Sequence, residues 1–172
     1  MFLLKYNTMA TTILTHEEIS LKLDRIAWQI LENHHQEKKI ILVGLDKRGA
    51  SVASKICDRL KKFGTLEVQN IIISVNKNDP LGSPVELADS AILSNQAIVL
   101  VDDVLNSGKT MAAALKEILN HNPKSIKTVV LANRDHHVYP IQANYVGISL
   151  ATTLMEHITY SEIDGKMSVE LS

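Results

Sequence analysis

Residues 98–115 read Ile98-Val99-Leu100-Val101-Asp102-Asp103-Val104-Leu105-Asn106-Ser107-Gly108-Lys109-Thr110-Met111-Ala112-Ala113-Ala114-Leu115. An apolar run, Ile98 to Val101, ends in two adjacent carboxylates, Asp102 and Asp103. A small-residue loop leads through Gly108 and Lys109-Thr110 into a strong helical pattern, Met111 to Leu119. The order is strand, acidic tip, loop, helix N-terminus. Unpaired amides of such a loop and of the first helical turn can hold a phosphate, and the helix dipole favours it. The dipole contributes only about 0.3–1 kcal/mol at exposed sites, so the amide hydrogen bonds must do most of the holding. Ser-Gly-Lys-Thr also closes a nucleotide-binding P-loop, but that motif needs a glycine where Asp103 stands, and the reading fails. An ordinary turn beside a solvated acidic strand end is the plain alternative. Two carboxylates at the carboxyl end of a buried strand, before a phosphate-shaped loop, are more than a turn requires.

The 172 residues suggest one domain, residues 1–172, large enough to bury a core without staples. Apolar residues make up 45% and aromatics only 4%, so the core must be aliphatic, as in an α/β fold. A net charge of -1 gives no global attraction to nucleic acid. The single Cys57 cannot form an internal disulfide; it reads as a small buried hydrophobe, and a cytoplasmic setting is expected. No apolar run approaches a membrane span, and Met1-Phe2-Leu3-Leu4-Lys5 is too short for a signal peptide. Met9 is an alternative start, with residues 1–11 expected to be a frayed extension.

Working outward, Thr15-His16-Glu17-Glu18 is a capping box before an amphipathic helix whose face is Ile19, Leu23, Ile26, Ala27, Ile30 and Leu31. His34 and His35 follow where they complement the helix C-terminus. Lys39 to Leu45 is a buried strand, followed by a loop from Asp46 and a helix to about Lys62 with Val52, Ala53, Ile56 and Leu60 on its apolar face. Gly64 stands at its C-cap. Leu66 to Val75 is a third strand. The segment 76–84, with two prolines, a glycine and polar residues, reads as a mobile loop. Ile126 to Ala132 is another strand, and short extended pieces surround residue 145, Ile158 and Val169. His136, His137 and His157 do not match a zinc spacing. Alternating strands and helices predict a twisted, mainly parallel sheet with helices on both faces and ligands at the carboxyl ends of the strands.

Ile98 to Thr110 resembles the phosphoribosyl-diphosphate (PRPP) binding motif of type I phosphoribosyltransferases: apolar residues, two acids, Ser-Gly, then Lys-Thr. The resemblance implies that Asn106, Ser107, Gly108, Lys109 and Thr110 cradle the 5-phosphate. It places Asp102 and Asp103, the catalytic carboxylates, at the ribose and at magnesium arriving with PRPP. It implies that Lys47, Arg48 and Gly49 contact the diphosphate, with a non-proline cis peptide between Gly44 and Lys47. The loop at 76–84 would be the flexible catalytic loop, with Lys77 reaching the diphosphate and closure excluding water.

Arg134-x-His136-x-x-x-Pro140-Ile141-x-Ala143-x-Tyr145-Val146-Gly147 is similar to the hood of the bifunctional pyrimidine-operon attenuator/uracil phosphoribosyltransferases. That likeness covers residues 12 to 172. It implies uracil as the base, Arg134, Asp135 and Val146 at the base, a hood built from residues 134–172, a homodimer or larger homo-oligomer, and an RNA partner. The family usually has Asp-Arg-Gly-His-Arg where this chain has Asn133-Arg134-Asp135-His136-His137, and a Lys or Arg where it has Ile148. The segment before the PRPP motif is also shorter and lacks the family's usual Tyr-Arg-Asp-Asp; Val75-Asn76-Lys77-Asn78-Asp79 stands there. Three basic residues are thus replaced or weakened, and RNA binding depends on cations that meet phosphate. The expected reaction is displacement of diphosphate from PRPP by a ring nitrogen. The alternatives are a nucleotide-sensing, RNA-binding regulator with little or no turnover, and a PRPP- or nucleotide-binding protein without transferase activity.

Overall fold

The computed structural model describes residues 10–153 and 156–172. Its strands are β1 (Thr11–Leu14), β2 (Lys39–Leu45), β3 (Glu67–Ser74), β4 (Glu86–Leu87), β5 (Ala97–Leu105), β6 (Ser125–Arg134), β7 (Tyr145–Leu150), β8 (Ile158–Ile163) and β9 (Lys166–Leu171). Its α-helices are α1 (His16–Asn33), α2 (Asp46–Phe63) and α3 (Lys109–Leu119). Six strands form one sheet in the order β4-β3-β2-β5-β6-β7. All neighbours are parallel except the short edge strand β4.

Side chains alternate across each strand, and both faces are covered. Ile40, Leu42, Val99, Val101, Val129 and Leu131 face α1 and α2. Ile41, Val43, Ile98, Leu100 and Val130 face α3. Helices therefore flank the sheet on both sides, as the alternating pattern predicts. The capping box is formed: the Thr15 N–H donates to Glu18 at 2.8 Å, and the Glu18 N–H to Thr15 Oγ1 at 3.4 Å. At the other end of α1, ring nitrogens of His34 and His35 each lie 2.8 Å from a last-turn carbonyl. Cys57 is buried among the apolar residues of α2. Arg59 fastens α2 to α1 through Asp24 at 2.6 Å and Ser20 at 2.7 Å.

Several expectations change. β5 does not stop at Val101 but runs to Leu105. Pairing with β2 ends at Gly44↔Val101, while pairing with β6 continues to Leu105↔Asn133. No loop separates β2 from α2, because Asp46 turns the chain in one residue at φ 53°. Among the described residues no peptide is cis, so the bond expected between Gly44 and Lys47 is trans. The hood is a three-stranded antiparallel sheet, β1-β9-β8. It includes the N-terminal strand and excludes β7, which instead completes the main sheet beside β6. Of the extension expected at 1–11, residues 1–9 lie outside the described residues, and Thr11 opens β1. No helix among the described residues is long and apolar enough to cross a membrane.

Candidate active site

The carboxyl ends of β2 and β5 open into a cleft of about 280 Å³. Asp102 and Asp103 lie on its wall, just past the point where β5 leaves β2. Asp103 is buried, and its N–H donates to Asp102 Oδ1 at 2.9 Å. Burial, and then the negative charge of Asp103, hold the Asp102 carboxyl well above the usual carboxylate range; Lys77 opposes them. The pair is therefore short of positive charge, and a cation brought against it would be favoured.

Beyond the strand, Asn106, Ser107, Gly108 and Thr110 line the same cleft. Gly108 is the N-cap of α3 at φ 80°, and no side chain caps the helix there. Ser107 Oγ accepts only locally, from the Lys109 N–H at 3.3 Å. The loop's shape is set by the segment after β6. The Ser107 carbonyl accepts the N–H groups of Val138 at 3.1 Å and Tyr139 at 2.9 Å. A Cβ on Gly108 would press on Tyr139 and Ile141 at 3.3 Å. Free amides thus remain at a helix N-terminus, the arrangement that binds phosphate.

Arg48 and Lys77, from the first turn of α2 and the segment after β3, line the same cleft. Gly49 is buried beneath: a Cβ there would lie 2.6 Å from the Val101 carbonyl. The glycine lets the helix start lie directly on the end of β5. Lys47 turns away, into a recess lined by Arg48, Ser51, Tyr160 and Glu162. Lys109 is half-buried and is not among the residues lining the cleft.

The hood reaches the cleft through Ile158. It is latched to α2 by Glu162, which accepts from Ser51 at 2.7 Å and from Lys55 at 2.8 Å. On the side of β6 and β7 a second cavity, about 480 Å³, shares Asn106 and Ser107 with the first. Arg134, His136, Thr152 and His157 line it. Arg134 donates to the Thr153 carbonyl, while its Nε and Thr152 Oγ1 are buried without a partner among the described residues. Asp135 is exposed, and its backbone N–H donates to the Leu150 carbonyl at 3.1 Å. Val146 belongs to β7, and its carbonyl accepts from Arg25 at 2.7 Å. Among the described residues no three His, Cys, Asp or Glu side chains gather as a metal site.

One cleft thus contains Asp102, Asp103, Arg48, Lys77 and, from the loop, Asn106, Ser107, Gly108 and Thr110. Arg134 stands in the adjoining cavity; Lys47, Gly49, Lys109, Asp135 and Val146 do not reach the cleft. Sequence reasoning passed over Asp46 and Thr152. The one signal for Asp46 was an acid at the carboxyl end of a buried strand, the feature that singled out Asp102.

Residues 9–159 match a family model described as "Phosphoribosyl transferase domain". A "Bifunctional protein PyrR" of Leuconostoc mesenteroides is 34% identical, over 92% of this chain and 96% of that protein. A protein of the same name in Streptococcus thermophilus is 33% identical, over 90% and 94%. Among solved structures, the hypoxanthine phosphoribosyltransferase of Trypanosoma cruzi superposes with a TM-score of 0.78 at 19% identity, over 92% of this chain and 95% of that one. A hypoxanthine-guanine phosphoribosyltransferase of Bacillus anthracis gives 0.70 at 22%, over 81% and 82%. At those identities the structures speak for the fold alone.

Proposed function

This chain belongs to the phosphoribosyl transferase domain family, as a relative of the bifunctional PyrR proteins, and we propose that it transfers ribose 5-phosphate from PRPP to uracil, releasing diphosphate. The observation that carries this reading is one cleft lined by two adjacent acids of β5 just past its pairing with β2, by a helix N-terminus whose N-cap is a glycine, and by two cations. The amides of 106–110 bind the 5-phosphate, with the Ser107 and Thr110 hydroxyls beside them. Asp102 and Asp103 face the ribose. Arg48 and Lys77 meet the diphosphate as its bond to the anomeric carbon breaks and a ring nitrogen of the base bonds there, its N–H proton passing to Asp103 or to solvent. Positive charge grows on the sugar in that step, and the carboxylate pair stabilises it electrostatically. The cavity beside Arg134 is the place for the base, with two buried, unpartnered polar atoms, Arg134 Nε and Thr152 Oγ1, as candidates for its edge.

Magnesium fits this donor set. Two adjacent carboxylates are hard oxygen ligands short of positive charge. No fuller cluster exists among the described residues, so the ion would share its ligands with PRPP and neutralise the diphosphate. The deciding experiment incubates the purified protein with PRPP, magnesium and each common base, and measures diphosphate release. Release with uracil, lost when Asp102 and Asp103 are both changed to asparagine, is the expected result. Release with no base rejects the assignment.

A second reading, regulation through bound RNA, is favoured by one observation: the relatives at 31–34% identity are named bifunctional. The net charge of -1 offers no global attraction, so any RNA contact needs a local basic patch. Titration with RNA hairpins at two salt concentrations tests it; absence of salt-sensitive binding rejects it.

A further inference from the structure

Asp46 follows β2 directly and opens α2 at φ 53°, a backbone region that residues with a Cβ avoid. Glycine would take that turn without strain. The carboxylate instead reaches across to the segment after β3. Oδ1 accepts the Val75 N–H at 3.0 Å, and Oδ2 lies 3.6 Å from Lys77 Nζ. Oδ2 is sealed from solvent and accepts no hydrogen bond from the described residues. Among the described residues Lys77 is the cation paired with it. Lys77 itself is 64% exposed and lines the cleft. It is also the sole cation of residues 76–84. The cleft wall thus bears three carboxylates against two cations, with Asp46 set against Lys77.

We propose that Asp46 is a built-in counter-ion: it occupies Lys77, and an incoming diphosphate must take Lys77 from it. Substrate admission is then an exchange of anions at one ammonium group. The Val75 N–H bond keeps the carboxylate aimed at Lys77, so Asp46 both positions that side chain and weakens the site for anions. A cleft without this charge would grip diphosphate more tightly, and so would release product more slowly. The inference rests on reading the cleft as the diphosphate site.

The test is calorimetric titration of inorganic diphosphate into the full chain, with and without magnesium, at low and high salt. Asp46→Asn keeps the acceptor for Val75 and removes the charge. It is expected to bind diphosphate about twofold to fivefold more tightly at low salt, the size of one exposed ion pair. High salt shrinks the gain. In a Lys77→Ala background the gain is smaller, since no cation is left to liberate. Asp46→Gly, which relieves the backbone strain, tightens binding in the same direction and covers failure of the asparagine variant to fold. Unchanged or weaker binding in both variants overturns the proposal, as does a gain of equal size without Lys77. Weakening only in the presence of magnesium would make Asp46 a metal-side group and overturn it too. If the wild type binds no diphosphate at all, the functional reading falls as well; if it binds and the variants match it, only the counter-ion falls.

Discussion

At the scale of the residue, Gly49 shows how a missing side chain places charged ones. A Cβ there would meet the Val101 carbonyl at 2.6 Å and Asp102 Cα at 3.2 Å. The first turn of α2 can lie on the strand end only because nothing projects between them. Gly49→Ala should cost about 1–3 kcal/mol, as overpacking does. It should also move Arg48 away from Asp102. Denaturant midpoint and PRPP-dependent diphosphate release should both fall; an unaltered midpoint would show that the turn has room to shift. In the sequence Gly49 reads as part of an anion loop. Its packing against Val101 was not legible, because the contact joins two distant stretches of chain. Asp102 was legible as a strand tip, but its resistance to ionisation depends on burial and on the neighbouring charge, which only the folded chain supplies.

At the scale of the element, local chemistry was the most readable. The capping box at Thr15 and Glu18 needs only a four-residue pattern, and it forms as the pattern predicts. Thr15→Ala should remove about 0.5–2 kcal/mol of stability. The measurement is urea unfolding, with the midpoint lowered and the slope unchanged. The continuous aliphatic runs likewise disclosed β2, β5 and β6, since each strand is buried on both faces. The ends of elements were harder. β5 outlasts its apolar run because β6 keeps pairing with it after β2 has stopped. β1 is four residues long and owes its form to a partner, β9, from the far end of the sequence. The β8–β9 hairpin did carry a signal that went unused, Asp164-Gly165, whose positive φ values of 49° and 76° suit a two-residue turn.

At the scale of the whole molecule, the hood sheet is tied through Glu162 to α2, the helix that packs on the main sheet. Lys55, and then Ser51, hold the Glu162 carboxyl below the usual range, while burial opposes them. A folded-state value below the unfolded one means that the latch stabilises the ionised form. Its contribution is complete above the ordinary glutamate value of about 4.3 and is lost as pH falls through the folded value. Wild type should therefore outlast Glu162→Gln in denaturant at neutral pH, and the gap between their midpoints should close in acid. A gap that persists at low pH would assign the stabilisation to packing rather than charge. The general architecture, a parallel sheet flanked by helices, was legible because continuous aliphatic runs and element order determine it. The make-up of the hood was not, because it depends on which remote strands find each other.

The register that sets Thr11 beside Leu171 has a temporal side. A ribosome delivers the first of these long before the second. Until the final hairpin emerges, residues 11–14 have no neighbour to zip onto, and the roof over the cleft stays open. The nascent chain should thus acquire its central sheet first and its roof last. The same adjacency means that a short peptide could splice residue 172 to residue 10, with new ends opened at the Asp164-Gly165 turn, without redrawing the architecture.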